Sequence, residues 1–213
     1  MYAFFIKYSV YAAVMLGILA GIPLVKIVRE RSMSETVFLC IAFSAVSMVS
    51  VLLFASFEKI IAGHGISMGA VSTYGVYIIA PVILLALYRR DRSSIFDAFA
   101  LYVLPSLFLQ RIRCMFNGCC GGTQIAQTGI HWPVREAELL FYAVMLVILL
   151  RQFHNGAQPG ILFPILMMSY GSFRFVEEFF REGNGLLHMA HLWSVLTILI
   201  GYSIYIEIRK HKK

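Results

Sequence analysis

The stretch TVFLCIAFSAVSMVSVLLFASF at residues 36–57 decides the fold class, because it carries no charged residue along its whole length. About 20 apolar residues in an α-helix match the hydrocarbon thickness of a bilayer. Comparable uncharged runs cover residues 8–25, 60–88, 152–173 and 183–206. Only helices and closed barrels satisfy their backbone polar groups inside lipid. The runs therefore predict an all-α integral membrane protein.

The overall composition excludes the common soluble classes. The chain has 213 residues, of which 60% are hydrophobic and 14% are charged. A soluble domain has roughly 45–50% apolar and about 25% charged residues, and a disordered chain has even fewer apolar ones. The net charge of +7 is typical of basic cytoplasmic loops that meet anionic lipid, so membrane lipid is an expected partner and nucleic acid is not. We expect a single polytopic membrane domain over residues 1–213.

Two shorter runs, 98–110 and 139–150, decide how often the chain crosses the membrane. Both become long enough to span if Asp97 and Glu138 lie near helix ends. On that basis the sequence predicts seven transmembrane helices, near residues 6–28, 36–57, 66–88, 95–111, 135–151, 160–181 and 187–208.

The basic residues indicate the orientation. With the N-terminus outside and the C-terminus in the cytoplasm, most of the 18 lysines and arginines lie on the cytoplasmic side, as the positive-inside rule requires. If neither short run spans, the termini keep their sides and the segment 111–135 moves to the cytoplasm. The arginines of that segment would also suit this second topology.

The end of the predicted sixth helix carries the clearest polar pattern. Spacings of three to four residues place Tyr170, Arg174, Glu178 and Arg181 on one face. Glu177 and Arg181 are predicted to form a second four-residue pair. An arginine at a helix centre in a bilayer costs about 2.5–3.5 kcal/mol on insertion scales. One interpretation is that Arg174 snorkels and pairs with Glu178. The other is that it forms an anion site, since a guanidinium binds phosphate through two hydrogen bonds.

A second polar segment follows the predicted fourth helix, with Arg111 at its start. Asn117-Gly118 and the glycine pair ending in Gly122 predict tight turns with positive φ. Backbone N–H groups in such turns can bind an anion beside an arginine. Arg111 at the end of an apolar helix is also consistent with ordinary snorkelling.

Cysteines in the same segment leave two alternatives open. Cys114, Cys119 and Cys120, with His131, come close to the spacing of a metal site, but adjacent cysteines are poor ligands for one tetrahedral zinc. An extracytoplasmic location would favour a redox or disulfide role. We expect no metal and no cofactor.

Two further segments contain candidate polar residues. Pro133 fits the first turn of a helix, and Glu138 lies deep enough in that helix to hold an arginine. Tyr74 and Gly75 belong to the third helix, where small and polar residues are typical of helix packing.

Taken in order, these segments resemble bacterial prolipoprotein diacylglyceryl transferases. The pattern is Tyr-Gly, then Arg-Ile-x-Cys-x-x-Asn-Gly-Cys-Cys-x-Gly, then Pro-x-Arg-x-x-Glu, then Tyr-Gly-x-x-Arg-Phe-x-x-Glu-Phe-x-Arg. The resemblance covers about residues 63–205. The family fold has seven helices with the N-terminus outside, which agrees with the topology predicted above.

The resemblance implies an activity. Members transfer a diacylglyceryl group from phosphatidylglycerol to the thiol of a lipobox cysteine in a preprolipoprotein, at the outer face of the bacterial cytoplasmic (inner) membrane, and glycerol phosphate leaves. By position, Arg111 and Arg174 match arginines that hold the phosphate, and Glu178 matches the acid that pairs with the sixth-helix arginine. The expected catalytic residues are Arg111, Arg174, Tyr74 and Glu178. The expected substrate-binding residues are Asn117, Gly122, Glu138, Arg181, Tyr170 and Gly75.

Departures from the family pattern keep other functions open. Tyr74 stands where well-studied members have histidine, so no general base is identified, and Cys119 stands where they have glutamate. The chain is also shorter than those members. Three alternatives are a paralogue that uses the same lipid donor with another acceptor, a phospholipid-binding or transport protein without chemistry, and a thiol-redox protein.

Overall fold

A computed structural model describes residues 2–30, 32–63, 71–88, 91–125, 129–181 and 188–210, with side chains from Ser9 onward. These residues form seven α-helices and two isolated antiparallel β-bridges, without a longer strand in the described ranges. The helices are α1 Tyr2–Arg29, α2 Met33–Ile61, α3 Tyr74–Leu87, α4 Arg92–Asn117, α5 Val134–His154, α6 Leu162–Glu177 and α7 Met189–Lys210. A 3₁₀ turn, Glu178–Phe180, continues α6.

The fold is an all-α membrane protein. In the described ranges, four helices (α1, α2, α4 and α7) are long and apolar enough to cross a bilayer by themselves. Large apolar side chains face outward, including Phe38 on α2, Val82 on α3 and Leu140 on α5, each more than 60% exposed. So many exposed large apolar side chains on one helical bundle are typical of a surface that faces lipid.

Helix α4 lies at the centre of the bundle. It packs against α1, α2, α3, α5 and α6, and its segment from Ala98 to Leu104 is completely or almost completely buried. An apolar helix that is buried all round is typical of a bundle core.

The buried Asp97 of α4 caps the beginning of α6. Its Oδ2 accepts a hydrogen bond from the Gly160 N–H at 2.6 Å, and its Oδ1 accepts one from the Leu162 N–H at 2.9 Å. The first N–H groups of a helix have no partner within the helix, so a carboxylate there satisfies them and faces the positive end of the dipole. This contact fixes α6 against α4.

Gly75 allows α3 to approach α2 closely. A Cβ at this position would collide with the Ser50 carbonyl oxygen and lie 2.8 Å from Val51 Cα, both of which are backbone atoms of α2. Backbone cannot move aside as a flexible side chain can, so the position requires glycine. The contact places the N-terminal end of α3, including Tyr74, beside α2.

Two predicted helix boundaries were wrong by six residues or more. The third helix was expected to start at 66, whereas α3 starts at Tyr74; residues 71–73 precede it, and 66–70 lie outside the described residues. The fourth helix was expected to end at 111, whereas α4 continues to Asn117. Arg111 does not end the helix, because it has a buried partner on α5 and α4 continues past it.

Candidate functional site

Glu138 of α5 joins two arginines from different helices. Its Oε1 accepts a hydrogen bond from Arg111 Nη2 at 2.6 Å and one from Arg174 Nη1 at 2.8 Å. Arg111 Nε also forms an ion pair with Glu138 Oε2. Glu138 is completely buried, and both arginines are more than 90% buried. The structure thus brings α4, α5 and α6 together around one carboxylate.

Arg174 binds two more carboxylates from its own chain segment. Its Nη1 donates to Glu177 Oε2 at 2.5 Å, and its Nη2 forms a short contact with Glu178 Oε1. Arg181 lies further out, with Nη1 at 3.6 Å from Glu178 Oε1. Glu177 was expected to pair with Arg181 four residues later. The 3₁₀ turn after α6 changes the direction of the chain before Arg181, which therefore lies near Glu178 instead. Glu177 pairs with Arg174 within α6.

The cluster balances its charges inside the protein. Three arginines, Arg111, Arg174 and Arg181, face three carboxylates, Glu138, Glu177 and Glu178. Burial of a single ion is expensive, and mutual attraction offsets that cost only with good geometry and several hydrogen bonds.

One donor of the cluster is not used within the described residues. Arg174 Nε is buried and has no hydrogen-bond partner there. A buried N–H without a partner costs free energy, and a bound ligand or water can supply that partner.

Tyr74 connects this cluster to α7. Its hydroxyl donates to the Ala190 carbonyl at 2.9 Å and lies 2.7 Å from Ser194 Oγ. The Arg174 guanidinium carbon is 5.6 Å from the centre of the Tyr74 ring, which is within the range of a cation–π contact. The ring therefore faces the arginine while α7 holds the hydroxyl.

A polar cavity of about 270 Å³ opens beside the cluster. Arg111, Arg174, Arg181, Tyr74 and Glu178 line it, so these five expected residues share one space. Residues that the sequence analysis did not place there also line it: Glu58, Ser72, Cys114, Cys120 and His188.

An apolar cavity of about 390 Å³ adjoins the polar one between α1, α2, α3 and α4. Four residues line both cavities: Val71, Thr73, Leu107 and Gln110. Apolar side chains such as Val10, Val14 and Met48 line most of the rest, together with three serines, Tyr102 and the charged Arg113. The two cavities together offer a charged end and an apolar end, which is the shape of a lipid headgroup and an acyl chain.

The remaining expected residues lie outside the polar cavity. Asn117 lines a different cavity, between α1 and the end of α4. Gly122 forms an antiparallel bridge with Arg181, and a Cβ there would collide with the Trp132 backbone. Gly122 thus holds the Arg181 segment in place.

Tyr170 lies behind the cluster rather than in the cavity. It is completely buried and its ring stacks on Tyr77 with centroids 4.0 Å apart. Tyr142, one helical turn after Glu138 on α5, is also buried. The hydroxyls of all three tyrosines have no hydrogen-bond partner among the described residues. The sequence analysis missed Tyr77 and Tyr142, because a tyrosine in an apolar run resembles ordinary core.

Three cysteines meet at the edge of the polar cavity. The sulfurs of Cys114, Cys119 and Cys120 all lie within 4.8 Å of one another, whereas the ring of His131 contacts the Gly122 carbonyl instead. A hydrogen bond with Cys114, together with the positive charges of Arg181 and Arg111, lowers the pKa of the Cys120 thiol below its usual value.

The model of the prolipoprotein diacylglyceryl transferase family matches residues 1–207, which is almost the whole chain. The chain belongs to this family. No curated protein sequence matches it. It is therefore a multi-pass membrane protein of a transferase family, and the expected family core of 63–205 extends in the match to nearly both ends.

The hydroxyl contacts of Tyr74 lead to a prediction about its role in transfer. Because α7 already binds the hydroxyl, we expect Tyr74→Phe to keep transfer activity and to lose about 1 kcal/mol of stability, the usual worth of one hydrogen bond. Tyr74→Ala also removes the ring that contacts Arg174, so it should lower both transfer activity and stability. Activity assays and thermal unfolding in detergent measure these effects. A large loss of transfer in a stable Tyr74→Phe chain would return the hydroxyl to substrate binding.

Proposed function

We propose that the protein transfers a diacylglyceryl group from phosphatidylglycerol to the lipobox cysteine of a prolipoprotein, at the outer face of the bacterial cytoplasmic membrane. In this proposal all seven helices span the membrane, with the N-terminus outside and the C-terminus in the cytoplasm. The family match supports the reaction class. The donor and the acceptor are those that the family resemblance implies, and the orientation is inferred from the distribution of the basic residues.

The pair of adjoining cavities is the observation that carries the proposal. The arginine cluster provides a charged end for a phosphate, and the apolar cavity provides room for part of an acyl chain. The shared wall at Val71, Thr73, Leu107 and Gln110 lies where the glyceryl group of such a lipid would be. The bond that breaks would then lie beside the arginines.

The arginines would act mainly on the leaving group. When the glyceryl carbon–oxygen bond breaks, negative charge develops on the phosphate of the departing glycerol phosphate. Preorganised donors in a site without bulk water stabilise such charge strongly. Arg174 has its unused Nε, and Arg181 is held only loosely by Glu178, so both have donors to offer. Glu138 and Glu178 would orient the guanidinium groups before the lipid arrives.

The direct test is mass spectrometry of the purified protein incubated with phosphatidylglycerol and a lipobox peptide. We expect the peptide to gain the mass of one diacylglyceryl unit and glycerol phosphate to appear in equal amount. The control is the same peptide with serine in place of its cysteine, which should stay unmodified.

Other results would support the other functions. Glycerol phosphate release without a change in peptide mass would indicate a different acceptor. Lipid binding without either product would contradict an enzymatic role and support a phospholipid-binding or transport protein.

A further inference from the structure

The three-cysteine cluster is the part of the cavity that the proposed function leaves without a role. Cys114 lies in the last turn of α4, and Cys119 and Cys120 follow the turn at Gly118. Cys120 has φ 60°, in the left-handed region that most residues avoid. This backbone conformation allows two adjacent cysteines to direct their sulfurs toward the same place as Cys114.

The sulfur geometry suits a metal ion. In a tetrahedral zinc site with Zn–S bonds of about 2.3 Å, the sulfurs lie roughly 3.8 Å apart. The three sulfurs here are all within 4.8 Å of one another, so small side-chain rotations bring them to that distance. Thiolates are soft ligands that select zinc or copper(I) over magnesium or calcium. Three protein ligands leave the fourth position open, which is typical of catalytic rather than structural zinc.

The surroundings favour the same interpretation. Three thiolates on Zn²⁺ carry a net charge of −1, and Arg111 lines the same cavity as Cys114 and Cys120. Arg181 lines it as well, and because its pairing with Glu178 at 3.6 Å is loose, its guanidinium group can also face the excess negative charge. The open position would face the cavity in which the proposed function places the lipid.

We propose that Cys114, Cys119 and Cys120 bind Zn²⁺ and that the open fourth position binds the acceptor thiol. The second half of this inference rests on the proposed function. A thiol that coordinates zinc loses its proton, so the metal would do the work of a general base, a role for which the sequence identified no residue. The proton goes to water when the thiol binds.

The transfer step then balances without another reactant. The acceptor sulfur supplies the electron pair for the new carbon–sulfur bond to the glyceryl carbon. The carbon–oxygen bond of the lipid breaks, and its electron pair leaves with glycerol phosphate. The product thioether is a weaker ligand than a thiolate, so it leaves the metal and frees the position.

The first arm of the test uses Co²⁺ alone, since cobalt substitutes for zinc and absorbs light when thiolates bind it. The reduced full-length protein in detergent should bind equimolar Co²⁺ with a thiolate-to-cobalt charge-transfer band. Serine at any one of the three positions should weaken Co²⁺ binding by at least about tenfold. Cys40→Ala is the matched control, because Cys40 is a buried cysteine on α2 outside the cluster, and it should bind Co²⁺ normally. Absence of the band, or an unchanged band in the triple serine variant, would overturn the metal site.

The second arm adds the lipobox peptide to the cobalt-loaded protein. The visible bands should shift with the cysteine peptide and not with its serine analogue; an unshifted spectrum would overturn thiol coordination. The Arg174→Lys variant, which we expect to lack transfer, should still bind Co²⁺ and peptide. Transfer without metal binding would refute this inference alone, and metal binding without transfer would refute the proposed function alone. A disulfide between two of the three cysteines in active protein would also overturn the metal site.

Discussion

A Glu138→Ala chain should lose transfer activity and much of its folding stability. Glu138 is completely buried and is the shared partner of Arg111 and Arg174, so its removal leaves two buried guanidinium groups short of a carboxylate. Removal of one partner from a buried ion pair costs about 3–5 kcal/mol. Here two pairs share the lost group. We expect a large fall in thermal stability in detergent and a low yield of folded protein.

The matched control is Glu136→Ala, two residues earlier on the same helix. Glu136 is exposed, and exposed charges contribute little to stability, so this chain should behave as the parent does. Glu138→Gln separates charge from shape, because the amide keeps one acceptor oxygen and removes the negative charge. It should fold better than Glu138→Ala while transfer stays low. An unchanged melting temperature for Glu138→Ala would show that the two arginines do not depend on this carboxylate.

The sequence predicted the helices better than it predicted the partners within the cluster. Uncharged runs locate α2 and α7 because the bilayer demands a fixed apolar length, and that demand is local. The partner of Arg111 is 27 residues away on another helix, which no local spacing reveals. The i, i+4 rule correctly joined Arg174 to Glu178 and wrongly joined Glu177 to Arg181, since the rule fails where an α-helix tightens to a 3₁₀ turn.

The end of α4 shows a second limit of sequence reasoning. A charged residue in an apolar run usually marks the helix end, where it can reach water. Arg111 instead lies within α4 and buries its charge against Glu138. A carboxylate that is distant in the sequence neutralises the charge of Arg111. This is a tertiary contact, so the length of α4 does not follow from the local sequence. The positive φ of Gly118, by contrast, follows from the Asn-Gly pair alone. The positive φ predicted for the pair Gly121 and Gly122 was wrong, because Gly122 is held in an antiparallel bridge with Arg181.

Arg174→Lys should abolish most transfer while the protein stays folded. Lysine keeps the positive charge that Glu138, Glu177 and Glu178 require, so the buried carboxylates remain compensated. It has a single nitrogen in place of the planar fork, and it has no counterpart of the unused Nε. Loss of one preorganised donor to developing charge typically costs about 100-fold to 1,000-fold in rate. We expect a decrease in kcat of that order with a near-normal melting temperature.

Arg151→Lys is the control for Arg174→Lys, because Arg151 is exposed in the last turn of α5. It lines neither the polar nor the apolar cavity, so transfer should persist. If Arg174→Lys kept full activity, a point charge would be enough at this position and the guanidinium geometry would have no part in catalysis. If the Arg174→Lys protein instead failed to fold, the double variant Arg174→Gln/Glu178→Gln would test the same hydrogen-bond donor. This double variant removes one positive and one negative charge, so the net charge of the cluster stays the same. Retained transfer in that folded double variant would show that Arg174 serves only to neutralise its own carboxylates, since the chemistry would then proceed with no cation at the centre of the cluster.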